Sequence, residues 1–520
     1  MTFRILRGLG LGIVLLVGSV FAQNALLGSE ASNASRSPGG APAPAGAQSA
    51  QDSGPTATAP SKPKLGPLDI SLNWRTRAEG WNWFEGKAGN SDYGFWDSTF
   101  RLGLGQNLEH VDWFVEGEQP SILGLPNNAV VAAPQGQLGL GGTYYAANHN
   151  HTNVANGFVK QAFVNFKHLG PASLKLGRFE YFDGLEVAPH DPLLATVIQT
   201  RISSRLISNF AFAAVQRTFD GVQLSANSGR NNFTFFGARP TQGVFQVKGM
   251  DELDVDSYYG AYTRSVNSRQ NAGQLRVFAL GYVDHRTRVL KTDNRATPLR
   301  AADIGKIEIA TWGADYAHVV NTTNSGKFDF LAWGAVQTGS WGNLTQRAAG
   351  FVGEAGWQPP VKTLKPWLSA GYSYGSGDGN AKDSRHGTFF QDLPTPRQYA
   401  RFPFYNMMNN EDLYATLNLR PISKLALRSE VHALRLASAS DLWYLGGGAF
   451  QPQTFGYTGR PSNGNRGLAN VWDLSADYPL TRYFAATLYY GHAWGKGVIA
   501  SIYPKDANGQ LIFLETNLHF

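Results

Sequence analysis

Cysteine is absent from this 520-residue chain, so disulfides and thiolate metal sites are excluded. Charge is scarce as well. Asp, Glu, Lys and Arg make up 16% of the sequence, where a soluble surface wants roughly 25–35%. The net charge of +7 is modest and spread out, and Arg4 and Arg7 fall in a segment expected to be removed, so no nucleic-acid patch exists. Beyond the N-terminus there is no apolar run near the roughly 20 residues a membrane-spanning helix needs, and no helical domain. What the chain has instead is 59 Gly, 31 Phe, 21 Tyr and 13 Trp, an aromatic share of 12%.

The first 22 residues, "MTFRILRGLGLGIVLLVGSVFA", have the layout of a secretory signal peptide: two arginines, an apolar run and a small residue before Gln23. An anchoring helix is the rival reading, but Gly8 to Ala22 falls short of a bilayer span. Residues 23–64 are rich in Ala, Pro, Ser and Gly. Such a segment buries too little apolar surface to offset its chain entropy, which predicts a disordered periplasmic linker. Residues 65–520 form the folded domain.

That domain opens with "LDISLNWRTRAE", Leu68 to Glu79, which alternates apolar and polar residues. Period-2 alternation specifies a strand with two unlike faces. In a soluble sandwich the apolar face would be core and the arginines solvated. In an outer-membrane barrel the apolar face would touch lipid and the arginines would line a pore. Eighteen such segments recur: 68–79, 95–108, 111–119, 158–168, 172–181, 214–226, 231–239, 256–265, 273–285, 305–318, 327–338, 348–358, 365–376, 411–420, 424–436, 468–478, 482–493 and 510–520. Nine to eleven residues is about what a tilted strand needs to cross a membrane.

The connections between them alternate long and short, with 339–347 the shortest of the long set. Outer-membrane barrels have short periplasmic turns and long outer loops, whereas a soluble β protein has no reason for this phase. The chain also ends in an amphipathic strand, "QLIFLETNLHF", closed by Phe520. This predicts an all-β, up-and-down antiparallel membrane barrel of about 18 strands in the bacterial outer membrane, with its leader and short turns in the periplasm. Its partners are then outer-membrane lipid, lipopolysaccharide and the barrel assembly machinery that reads Phe520. Closure removes the exposed edge of so long a β protein.

Parity then assigns faces. Leu68, Ile70, Leu72 and Trp74 face lipid, and Asp69, Arg75, Arg77 and Glu79 face the lumen. Asp97, Thr99 and Arg101 point inward, as do Asp112, Glu116, Glu118, Gln274, Arg276, Arg428, Glu430 and His432. Arg217 is lumenal by the same rule. Arg178 shares the parity of outward Leu174 and Leu176, so only a bulge or a strand end would turn it inward.

The segments "LKLGRFEYFDG" (174–184), "VQRTFDGVQL" (215–224) and "YSYGSGDGNAKDSRHGTFFQDLPTPRQYARFPFYNMMNNEDLYATLNLRP" (372–421) resemble the alginate export family of outer-membrane porins. The resemblance implies an eighteen-stranded barrel whose arginine-rich constriction passes a polyanionic polysaccharide. By motif, Arg178 and Arg217 match the family's arginines and Asp220 its acidic partner. The connection "LEVAPHDPLLATVIQTRISSRLISNFAFAA" is longer than the resemblance implies. Arginine suits uronate carboxylates, because its planar donors fit them and it stays charged. The plainer alternative is that the lumenal arginines pair with Asp97, Asp220 or Glu430 and only brace the wall.

Arg201, Arg205, Arg385 and Arg397 are expected in mouth loops, there to attract a polymer or to meet lipopolysaccharide. His149 and His151, "DGNAKD" (378–383), and His190 with Asp191 complete no metal, calcium or nucleophile pattern. No cofactor, metal or catalytic residue is expected. A general or hydrocarbon-uptake porin would share the barrel and differ only in its lining; an outer-membrane hydrolase would need a mouth-facing Ser/His pair.

Overall fold

The structure, a computed structural model, describes residues 63–268, 270–395 and 401–520. The expected signal peptide, all but the end of the linker, and Arg397 lie outside the described residues. No described helix is long and apolar enough to cross a membrane.

Eighteen strands form the wall. They are β1 (Leu68–Asn82), β2 (Asp92–Asn107), β3 (Val111–Leu123), β4 (Phe158–Leu169), β5 (Ala172–Phe179) and β6 (Phe219–Ser228). Next come β7 (Asn231–Pro240), β8 (Val255–Asn267), β9 (Asn271–Asp284), β10 (Ile307–Asn321), β11 (Lys327–Trp341) and β12 (Leu344–Gln358). The ring ends with β13 (Trp367–Gly375), β14 (Asn410–Ile422), β15 (Leu425–Leu436), β16 (Gly467–Pro479), β17 (Phe484–Gly495) and β18 (Asn508–His519). Each pairs antiparallel with its neighbours in chain order. β18 returns to β1, with His519 opposite Asn73 and Gln510 opposite Asn82. Phe520 extends this seam: its N–H donates to Leu72 O at 3.1 Å and its carbonyl accepts from Leu72 N–H at 3.2 Å. Every wall strand therefore has partners on both sides, the condition for crossing a bilayer with strands.

All eighteen expected strands are present, and alternation places their faces. Trp74, Leu102 and Leu514 are 44%, 46% and 52% exposed on the outside, whereas Arg75 and Asp97 are 5% and 0% exposed on the inside. Two local expectations are corrected. The segment 214–226 enters the wall only at Phe219, because residues up to Thr218 still belong to a loop inside the barrel. The expected loop 339–347 is a hairpin of two 15-residue strands joined at Gly342 and Asn343. Gly342 has φ +60°, and a Cβ there would strike the Asp303 carboxylate, which accepts hydrogen bonds from the Asn343 and Gly305 N–H groups.

The long connections do not stay at the mouth. Apolar residues of 180–218, 376–395, 401–409 and 437–466 are buried inside the ring in clusters with inward residues of the wall. Leu193, Ile198, Leu206, Ile207, Leu393 and Met407 are all under 9% exposed.

Candidate functional site

The barrel is spanned by the loop between β5 and β6. Its C-terminal part is held by β1, β2 and β4. Arg75 donates from Nη1 to Ala211 O and from Nη2 to Ala213 O, both at 2.6 Å. Arg77 Nη1 donates to Phe212 O at 3.0 Å, and Thr99 Oγ1 to Ala214 O at 2.6 Å. Arg101 donates to the side chains of Gln216 and Glu180, and Lys160 to Gln216 O.

Its N-terminal part is held on the opposite wall. Arg276 on β9 lies 3.6 Å from Asp183, 3.5 Å from Glu186 and 2.6 Å from Asp315 of β10. Between these ends, Asp191 accepts from the Leu193 and Leu194 N–H groups and so caps a short helix, Pro192–Val197, with proline at its first position. Past that helix, Arg201 reaches Glu354 of β12, Ser369 of β13, Thr416 of β14 and Glu430 of β15. In a ring of eighteen, β1 and β10 face each other, so residues 180–218 form a strut across the lumen.

Most expected lumenal residues are thus inside, but engaged. Arg77 meets Glu515 at 2.5 Å and Glu79 at 3.1 Å; Arg101 meets Glu118 at 2.7 Å; Arg428 meets Glu430 at 2.5 Å. Arg201 and Arg205, expected at the mouth, are buried within the barrel. Arg385 is exposed.

Arg178 and Asp220 are not lumenal. They are cross-strand partners on the face that carries exposed Leu176 and Leu224, paired at 2.5 Å at the long-loop end of the wall. Gly177 has φ +121°, yet the side chains still alternate: Lys175 and Phe179 point in and Arg178 out. Arg239 with Asp256, at 2.7 Å, continues this outer row.

The sequence reading placed Glu430 and His432 inward, but not the cluster they form, and it did not single out Asp392. Glu430, His432 and Asp473 bring one ligand atom each to within 4.8 Å of one another. Arginines 201, 401 and 428 surround Glu430, and Asp412 takes His432 Nδ1 at 2.9 Å, so this cluster already balances its charge as an ion-pair network. His149, His151 and His190 are exposed. Asp392 is fully buried, and neither carboxylate oxygen has a hydrogen-bond partner. Burial first, then the charge of Asp183, holds its pKa well above the usual carboxylate range.

An Asp392→Asn variant should therefore melt at a higher temperature than the parent at pH 8, with the gap closing toward pH 4. Above the ordinary carboxylate pKa the unfolded chain releases a proton that the folded chain retains, so the parent loses stability as pH rises and the variant has nothing to lose. Circular dichroism melts in detergent at the two pH values check this.

At the mouth the loops enclose a cavity of about 350 Å³, lined mainly by apolar side chains, among them Phe210, Phe212, Phe245, Leu290, Phe450 and Phe455. Beside it stands Arg217, in the last residues of the strut.

A closed eighteen-strand wall with lipid-facing apolar rows and a charged, loop-filled lumen defines an outer-membrane porin. The alginate export family model matches residues 102–497, and the chain belongs to that family. Among curated proteins none matches. Of solved structures, Pseudomonas aeruginosa OccK9 (OpdG) aligns with a TM-score of 0.51 at 12% identity, over 88% of this chain and 99% of that one. Acinetobacter baumannii OccAB2 aligns at 0.54 and 8%, over 88% and 99%; OccAB1 aligns at 0.51 and 10%, over 89% and 99%. At these identities the likeness shows the fold. The family and these neighbours are transporters of the outer membrane rather than enzymes.

Proposed function

We propose that the barrel is a selective outer-membrane channel for small anionic solutes. The observation that carries this reading is the strut. It ties opposite walls together with lumenal arginines, so the bore is a set of narrow passages beside a loop rather than an open polymer channel. The family's description speaks for an anionic polysaccharide of the alginate type; a chain of that kind would need the strut displaced. Ion pairs offset most of the lumenal arginines, so the positive field comes from those without a carboxylate partner, such as Arg217, and in a low-dielectric bore it raises the local anion concentration.

In planar bilayers under a salt gradient, the reversal potential should lie on the anion side, most clearly at low ionic strength where screening is weak. In vesicles, single uronate sugars should permeate and long uronate oligomers should not. A cation-side potential would sink the reading, and free passage of long oligomers would restore the polysaccharide.

The partners belong to the same proposal: lipid and lipopolysaccharide around the wall, and assembly machinery engaging the last strand. Removing Phe520 deletes the two seam hydrogen bonds to Leu72 as well as the terminal aromatic ring. The yield of heat-modifiable barrel in outer-membrane fractions should fall steeply. An undiminished yield would show that neither the ring nor the seam bonds direct closure.

A further inference from the structure

We infer that the mouth cavity and Arg217 together form a binding site for a small monocarboxylate with an apolar body, an aryl or short-alkyl carboxylate. This deepens, and rests on, the anion-channel reading.

Arg217 differs from most arginines of the barrel interior; buried Arg460, in the cavity lining, also lacks a carboxylate partner, but its Nε and Nη2 are taken by the carbonyls of Gln135 and Gln137. Arg77, Arg101, Arg201, Arg276 and Arg428 each lie within ion-pair distance of a carboxylate. Among the described residues, none pairs with Arg217. It is completely buried, its Nη2 donates to Gly447 O, and its Nε and Nη1 have no hydrogen-bond partner. A buried cation without a counter-ion is costly, and the cost is relieved when an anion arrives. Its burial pushes the guanidinium pKa down to about 10, still leaving it charged at neutral pH.

The position of Arg217 selects the ligand. Its guanidinium carbon sits 5.7 Å from the centre of the Phe210 ring, and Phe210 lines the cavity. The carbonyl that Nη2 meets belongs to Gly447, flanked by Gly446 at φ +115° and Gly448 at φ +82°, conformations that L side chains rarely adopt. A Cβ on Gly447 would come within 1.9 Å of the Phe210 ring. The glycines therefore let the backbone close against this ring and deliver a carbonyl to Arg217. Phe210 itself has φ +62°, a strained conformation for a residue other than glycine. One aromatic ring on a strained hinge thus separates the cavity from two free, charged donors.

The cavity decides what body the anion carries. A ligand site is typically about 300–1,000 Å³ and mostly apolar, with few convergent polar groups. Here about 350 Å³ is faced by Phe210, Phe212, Phe245, Leu290, Phe450 and Phe455. A sugar would find polar partners only on part of the lining, where Gln451, Gln453, Thr454 and Arg460 stand among the rings, and each hydroxyl left against a phenyl ring would cost roughly 1–3 kcal/mol. An aryl or alkyl group gains from the same surface, and its carboxylate matches the free donors.

The test is current block in planar bilayers by benzoate, benzamide and glucuronate added to the loop side. Benzoate should block at a concentration at least tenfold below the other two. Arg217→Gln should raise its blocking concentration at least tenfold. Leu290→Glu, at a lining position that is 44% exposed, should do the same by repelling the carboxylate. Benzamide blocking as well as benzoate would overturn the role of Arg217. Glucuronate blocking as well as benzoate, through Arg217, would overturn the apolar half and leave the anion channel standing. No block in a channel that is still anion-selective would overturn the whole site, and a cation-selective channel would overturn the functional reading with it.

Discussion

Removing the strut should raise single-channel conductance several-fold. Phe179 and Phe219 are direct partners across β5 and β6, so a short Gly/Ser turn can replace residues 182–216 without shifting the wall. Each anchoring arginine keeps a carboxylate after the cut. Arg77 retains Glu79 and Glu515, Arg101 retains Glu116 and Glu118, and Arg276 retains Asp315. The shortened protein should therefore still assemble. An eighteen-strand wall without its inner loop encloses an aqueous lumen. Long uronate oligomers should then enter vesicles, and selectivity among small anions should weaken. An unchanged conductance would mean that ions pass along a route the strut does not narrow.

The second large effect is on stability. Arg77→Leu leaves Glu79, Asp97 and Glu515 facing one another inside the wall, all previously within 4 Å of one guanidinium. Removing one partner of a buried ion cluster costs about 3–5 kcal/mol, because the remaining charges lose their compensation. The midpoint of urea unfolding in detergent should fall accordingly. Arg178→Ala is the contrast. Its pair with Asp220 is a single, partly buried one on the outer face. Its loss strands one carboxylate instead of three, so the cost should lie nearer the roughly 0–1 kcal/mol of a surface pair than that of the inner cluster. That variant should unfold near the parent midpoint and keep the parent reversal potential. A large loss at Arg178 and none at Arg77 would reverse the assignment of faces.

The wall was legible in the sequence because every strand has two unlike faces, and lipid on one side and water or protein on the other impose the period of two. Arg178 shows how far that rule reaches. Motif resemblance placed it in the lumen while parity placed it outside, and in the structure Leu176, Arg178, Leu224 and Asp220 share one outward face. Parity is silent on what fills the interior. Arg201 and Arg205 looked like mouth residues because a loop has no period to betray its location. Composition did carry a signal: Leu193, Leu194, Val197, Ile198 and Ile202 are too apolar for a solvated loop, and Asp191 with Pro192 is a helix start. The hairpin at 339–347 was hidden for a similar reason, since a two-residue turn between strands that rise above the membrane looks like a loop when only membrane-length strands are sought. Arg217 and Asp392 were beyond reach altogether. Their distinction is the partner each lacks, which only a three-dimensional arrangement reveals.

A hollow ring of strands is easiest to deform by flattening, one diameter shrinking as the perpendicular one grows. Residues 180–218 act as a tie-rod against that mode. One end is bolted to β1 and β2 through the carbonyls of 211–214, the other to β8 and β9 through Glu186 and Asp183. The bore is then gauged by the contour length of one loop instead of by the number of staves. Lengthening or trimming that loop retunes the aperture while the hydrogen-bond register of the wall stays as it is.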